Sequence, residues 1–191
     1  APAKVDAIES AVQMTRALLA GEGLNVGAMK PARLNHARRV PVWVAAQGPK
    51  NLRMAGRAAD GVWIRVGRDP DNLNMAWGAV KAGLRDSGRD ISELQIGLIF
   101  HTAVNSDPDA ARLMAKAIAA GYYEYSKFLF DLPGLAWRGD DPHVLREIVY
   151  PDFLHHQDMV FAGTQVDFLE DRAAEAFALF GDWAAIANQL K

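Results

Sequence analysis

Three short apolar runs, Val40 to Ala46, Gly61 to Val66 and Leu94 to Val104, are each followed by a stretch with helical spacing. The first is continuously apolar and rich in Val and Trp, which predicts a strand buried on both faces. Behind it, Leu52, Met54, Ala55 and Ala58 mark a helix over 49–59. Asp69-Pro70 supplies an N-cap and first-turn pair for a helix to Ser87, and Ser106-Asp107-Pro108 caps another running to about Tyr125. Strands that alternate with helices pair in parallel, because only a crossover returns the chain to the same end of the sheet. This pattern confines the chain to an α/β architecture.

Before the first strand, Val5 to Ala20 has helical spacing and stops at Gly21-Glu22-Gly23, and residues 24–39 are basic and irregular. From Phe128 to Gln165 the alternation breaks. This stretch holds Pro133, Gly134, Pro142, Pro151 and three of the five histidines, and it is too long for a plain connection. It reads as an insertion, about 128–165, with short helices over one end of the sheet. Phe168 to Phe180 is read as a helix, Gly181-Asp182 as a turn and Trp183 to Leu190 as a last helix. The chain opens on Ala1-Pro2, and both ends read as cuts through a larger domain, so 1–191 is taken as a partial single domain.

A net charge of −2 argues against a nucleic-acid surface. No apolar run approaches the roughly 18 residues of a membrane span. The absence of cysteine excludes disulfides and zinc–thiolate sites and fits a reducing compartment, so a cytoplasmic location is expected.

The turn after the first strand, Gln47-Gly48-Pro49-Lys50-Asn51, carries the chemistry. The first N–H groups of a helix lack intrahelical partners, and together with the helix dipole they attract anions. Gly48 adds no Cβ, Pro49 suits the first helical position, and Gln47, Lys50 and Asn51 bring side-chain donors. The alternative is an ordinary strand-to-helix turn, for Gly-Pro is common there. Neither a Walker A nor a Rossmann glycine pattern is present.

The stretch "PVWVAAQGPKNLRMAGRAADGVWI" resembles the signature of the luciferase-like monooxygenase superfamily, closest to the branch typified by methylenetetrahydromethanopterin reductase. "TRALLAGEG", "AGLRDSGRDISELQIGL" and "DRAAEAFALFGDWAAIANQL" resemble, in the same order, other elements of that family. The resemblance implies a TIM (β/α)8 barrel of which this chain supplies about the second half: strands five (Val40–Ala46), six (Gly61–Val66) and seven (Leu94–Val104), the insertion and the late helices. The rest of the barrel would come from an upstream segment or a companion chain. It also implies a flavin- or deazaflavin-dependent oxidoreductase, acting by hydride transfer or monooxygenation on a small organic substrate, and forming a homo-oligomer. By resemblance the cofactor's phosphate is held by Ala45, Ala46, Gln47, Gly48, Pro49, Lys50 and Asn51. Flavin-using relatives carry acidic and serine residues where Gln47 and Gly48 stand, which favours coenzyme F420, a deazaflavin, over FMN. The family's proton-transferring groups lie mostly on early strands, so no catalytic residue is named. Two alternatives stay open: a phosphate-binding barrel isomerase or lyase, and a non-catalytic flavin-binding subunit.

Other candidates carry double readings. Arg65 reaches an anion or snorkels at the rim. His101 points into a barrel mouth or is a buried histidine with a satisfied hydrogen bond. His155 lines a substrate pocket or sits on the surface; beside His156 and Asp158 it lacks further ligands at metal spacing. Asp60 is read as the turn into the second strand before it is read as an acid. Arg65-Val66-Gly67-Arg68 closes that strand, at the end where barrels of this kind place their sites.

Overall fold

The computed structural model describes residues 3–190; Ala1, Pro2 and Lys191 lie outside the described residues. Two compact units emerge, one of residues up to Arg65 together with Asn74–Leu98, the other of Val66–Leu73 and the chain from Ile99 onward. Among the described residues no helix is long and apolar enough to cross a membrane.

In the first unit, α1 (Val5–Leu19) precedes β1 (Trp43–Ala46), α2 (Pro49–Ala58), β2 (Gly61–Ile64), most of α3 (Pro70–Ser87), a single 3-10 turn (Ile91–Glu93) and β3 (Gln95–Leu98). The strands form a parallel sheet of order β1-β2-β3, with Trp43 opposite Gly61 and Trp63 opposite Gly97. Val62 and Ile64 are buried, as are Leu52, Met54, Ala55 and Ala58 of α2 and Ala76, Val80 and Leu84 of α3. The other face carries Trp43, Ala45 and Trp63, because alternate residues of a strand point to opposite sides. There each indole lies flat over the glycine of the next strand: a Cβ on Gly61 would strike the Trp43 ring, and one on Gly97 the Trp63 ring. The two rings stack 4.9 Å apart.

The helices approach each other through glycine. A Cβ on Gly56 would collide with the backbone of Val80, and one on Gly83 with the backbone of Arg53. That backbone-close crossing is tied at its rim by Arg53, whose guanidinium donates to both oxygens of Asp86 at 2.6 and 2.8 Å. Arg57 pairs with Glu9 of α1 and keeps that carboxyl below its ordinary value through the hydrogen bond. Asp60 is a junction: it accepts from Arg16 at 2.8 and 3.1 Å and from the Val42 amide at 2.9 Å, joining α1 to the entry of β1. Its geometry is that of an anchored turn.

In the second unit, β4 (His101–Val104) pairs in parallel with β5 (Ala178–Gly181), His101 opposite Ala178. Asp107 caps α4 (Pro108–Tyr125) by accepting from Asp109 and Ala110 amides. Around α4 pack α6 (Met159–Thr164) and α7 (Asp171–Phe177), while α5 (Pro142–Leu145) and the closing α8 (Trp183–Gln189) complete the unit. Tyr122, Phe177 and Phe130 form a continuous stack with ring centroids 4.7 and 4.8 Å apart. Lys116 is 5 % exposed, donates to Asp167 at 2.8 Å and pairs with Asp171 at 3.3 Å, bolting α4 to the start of α7.

Four expectations are corrected. The first strand is Trp43–Ala46, not Val40–Ala46. Pro41 brings no N–H, Asp60 takes the Val42 amide, and Ala45 is exposed, so the strand is not buried on both faces. The second strand ends at Ile64, not Val66. The run Leu94–Val104 is two strands, β3 and β4, interrupted at Ile99-Phe100; β3 pairs with β2 while β4 pairs with β5. The helix expected over 168–180 ends at Phe177, and Ala178–Gly181 is the strand β5, extended because β4 offers it a ladder of partners. The expected short helices of the 128–165 stretch are present as a 3-10 turn at Lys127–Phe130, α5 and α6.

Candidate functional site

The carboxyl end of β1 leads directly into α2. Gly48 is the N-cap of this ten-residue helix, with φ −77° and ψ 145°, and no side chain caps it; Pro49 opens the first turn. An uncapped start of this kind leaves the amides of Lys50 and Asn51 as hydrogen-bond donors at the positive end of the helix dipole. A Cβ on Gly48 would meet nothing within 4 Å, so the space beside Gly48 at the start of α2 is open. Gly48 is not in the left-handed region, so the backbone here does not require glycine. Lys50 is exposed, Ala46 is buried and Ala45 is exposed on the face that also carries Trp63. The Asn51 side-chain oxygen is buried and has no hydrogen-bond partner among the described residues. A buried acceptor without a donor is costly, about 1–3 kcal/mol.

Arg65 joins this group. It follows β2, its Nη1 lies 3.4 Å from Gln47 Oε1, and its amide donates to the Ala46 carbonyl at 3.1 Å. Seven expected site residues from 45 to 51 and Arg65 therefore form one constellation at the carboxyl ends of β1 and β2.

The two histidines belong to the second unit and have local partners. His101 Nδ1 is 3.1 Å from the Tyr122 hydroxyl, and the two rings meet edge to face. His155 Nδ1 is 2.8 and 2.9 Å from the two oxygens of Asp152. This pair ends a chain of contacts: Tyr125 donates to Asp152 at 3.2 Å, Arg146 donates to Tyr125 at 3.1 Å, and Arg146 pairs with Glu124. Glu124 is 2 % exposed at its side chain, and its second oxygen has no hydrogen-bond partner among the described residues. Burial raises its carboxyl above the ordinary value against the pull of Arg146. Burial also pushes Asp152 up, but the hydrogen bonds from His155 and the Leu154 amide outweigh it and leave this carboxyl low.

A second group of polar side chains lies where sequence reasoning named only Gly67 and Arg68. Arg68, Asp69, Arg172 and Gln189 line a cavity of about 480 Å3 in the second unit. No local signal joins them; Asp69 and Arg172 are 103 positions apart.

The model of the luciferase-like monooxygenase family matches residues 2–191. The chain belongs to this family. Among its relatives, the 5,10-methylenetetrahydromethanopterin reductase of Methanopyrus kandleri is 24 % identical over 160 residues, 84 % of this chain and 43 % of that protein. The reductase of Methanolobus tindarius is 32 % identical over 81 residues, 42 % of this chain and 24 % of that protein. The chain thus spans less than half the length of these luciferase-like relatives. The solved coenzyme F420-dependent tetrahydromethanopterin reductase of Methanopyrus kandleri superposes with a TM-score of 0.65 at 20 % identity, over 97 % of this chain and 53 % of the other. An F420-dependent secondary alcohol dehydrogenase in complex with an F420–acetone adduct gives 0.63 at 15 % identity, over 97 % of this chain and 51 % of the other. The α/β fold is therefore that of luciferase-like TIM-barrel enzymes.

Proposed function

We propose that the protein is a flavin- or deazaflavin-dependent oxidoreductase acting on a small organic substrate, and that the β1–α2 turn holds the phosphate of its cofactor. The observation that carries the reading is the uncapped start of α2 facing the open space at Gly48. When bound, the cofactor supplies the hydride or oxygen chemistry, and the protein supplies position and a dry site. The residues present fit such a group. The amides of Lys50 and Asn51 face its phosphate, Lys50 adds a mobile cation, and Ala45 and Ala46 leave room along the strand. Arg65, steadied by Gln47, is the cation on the inner side of the strand ends.

Coenzyme F420 is preferred over FMN. Support comes from Gln47 and Gly48, which place no acid at the turn, and from the relatives named for F420. Fluorescence titration with both cofactors tests this: tighter FMN binding refutes the preference, and failure to bind either refutes the site.

The reading extends to the barrel, with β1, β2 and the β3–β4 run as strands five, six and seven. The parallel register supports it, as does Trp63, 42 % exposed on the face that α2 and α3 leave uncovered, the side that a closed barrel would enclose.

A further inference from the structure

We propose a second anion subsite in the second unit, built on Arg68 and Arg172, that takes the phosphate or carboxylate group of a small substrate. It shares no residue with the β1–α2 turn and stands independently of the cofactor reading. Its walls are Arg68, Asp69, Pro70, Arg172, Phe180 and Gln189, around a cavity of about 480 Å3, within the range of small-molecule sites.

Arginines on a surface do not make a site; arginines held from behind do, because little side-chain freedom is left to lose on binding. Arg68 donates through Nη1 to Gln189 Oε1 at 3.0 Å and through Nη2 to the Gln189 carbonyl at 3.3 Å. Gln189 is itself pinned, its amide donating to the Phe180 carbonyl at 2.7 Å. Arg172 donates through Nη2 to Asp69, a carboxylate only 1 % exposed, whose other oxygen accepts from the Asp71 amide at 2.9 Å. The loop that carries Arg68 is equally constrained. Gly67 has φ +77°, and a Cβ there would strike the Ala176 carbonyl, which accepts from the amides of Arg68 at 2.7 Å and Asp69 at 3.3 Å.

A guanidinium offers five N–H donors. The described bonds use two groups of Arg68 and one of Arg172, so each retains donors on a cavity wall. Asp69 offsets the charge of Arg172 but not its donors, and planar forks of this kind match phosphate and carboxylate oxygens in pairs. Pro70 and Phe180 supply the apolar walls. Glu175 also lines the cavity and opposes an anion, so the subsite suits a single small anionic group more than a polyanion.

The test is calorimetric titration of the full-length protein carrying Gly48→Val with inorganic phosphate and, separately, acetate, in low chloride. The substitution removes the β1–α2 turn as a competing site; if that turn binds nothing, the arginine variants below still decide. The Gly48→Val protein is expected to bind one or both anions, the tighter one naming the substrate's group. Arg68→Gln, which leaves the Asp69–Arg172 pair intact, is expected to weaken binding about tenfold to a hundredfold. Asp69→Asn with Arg172→Gln, which leaves no buried carboxylate unpaired, is expected to do the same. Glu175→Gln is expected to tighten binding severalfold. Binding of neither anion, or binding indifferent to both arginine changes, overturns the proposal.

Discussion

Replacing Gly48 with valine separates a binding role from a folding role. The backbone there, φ −77° and ψ 145°, is extended and open to any residue, and a Cβ added to it meets no neighbour within 4 Å. Valine is a poorer N-cap than glycine by about 1 kcal/mol. The narrower unfolded ensemble returns about 0.4–1 kcal/mol, so stability should stay nearly unchanged. Binding is another matter. A β-branched group would fill the space in front of the Lys50 and Asn51 amides. Losing two charge-assisted hydrogen bonds, about 1.5–3 kcal/mol each, costs about 3–6 kcal/mol, or about two to four orders of magnitude in affinity. Lys50→Ala should cost less, because a solvated ammonium on a flexible stem contributes less than amides fixed in a helix. Calorimetry with coenzyme F420 reads the affinity, and circular dichroism reads the fold. A folded Gly48→Val protein with unchanged affinity would refute the reasoning and leave Gly48-Pro49 as a turn only.

Gly83→Ala should destabilise by up to about 2 kcal/mol, since a clash with the Arg53 backbone costs up to about 3 kcal/mol against a helix-propensity gain of about 1 kcal/mol. In the same helix Gly78→Ala meets nothing within 4 Å and should stabilise by about 1 kcal/mol; urea denaturation of the pair checks the sign of each. Glu124 has a raised folded-state carboxyl, so its contribution to stability is present below the ordinary carboxylate range and is lost as pH rises through the folded value. Glu124→Gln should flatten that decline in thermal melts between pH 4 and 8, and an unchanged profile would remove Glu124 as its source. Asp60→Ala should cost about 1–3 kcal/mol, because it strands the Val42 amide and leaves Arg16 only the Ala58 carbonyl; an unchanged stability would show that α1 is held elsewhere.

The elements that sequence made legible are those written in local pattern. The spacing of Leu52, Met54, Ala55 and Ala58 and the Asp107-Pro108 cap gave α2 and α4 almost to the residue. The turn at Gly48 was visible for the same reason, since its donors come from consecutive residues. What escaped was decided at a distance. Ala178–Gly181 continues an alanine-rich helical pattern and becomes a strand only because β4 lies beside it. The break at Ile99-Phe100 leaves no composition signal, since both residues are apolar and read as a continuation of the strand. Arg68 stands at a strand end and Arg172 in a helical run more than a hundred positions away, so only the folded chain, with Gln189 and Asp69 behind them, relates the two.

The two indoles on the open face act as a proofreading device for strand alignment. In the native register each lies on bare backbone, Trp43 on Gly61 and Trp63 on Gly97. Sliding β1 by one residue would turn its tryptophan to the helix side, where α2 is already packed. Sliding it by two would set Trp43 directly opposite Trp63, one bulky ring where the other must lie. Misaligned sheets are thus excluded by shape before any hydrogen bond is counted. The same close pair of chromophores should couple optically, so a near-ultraviolet dichroism signal from the two rings would report correct alignment while the chain is still folding.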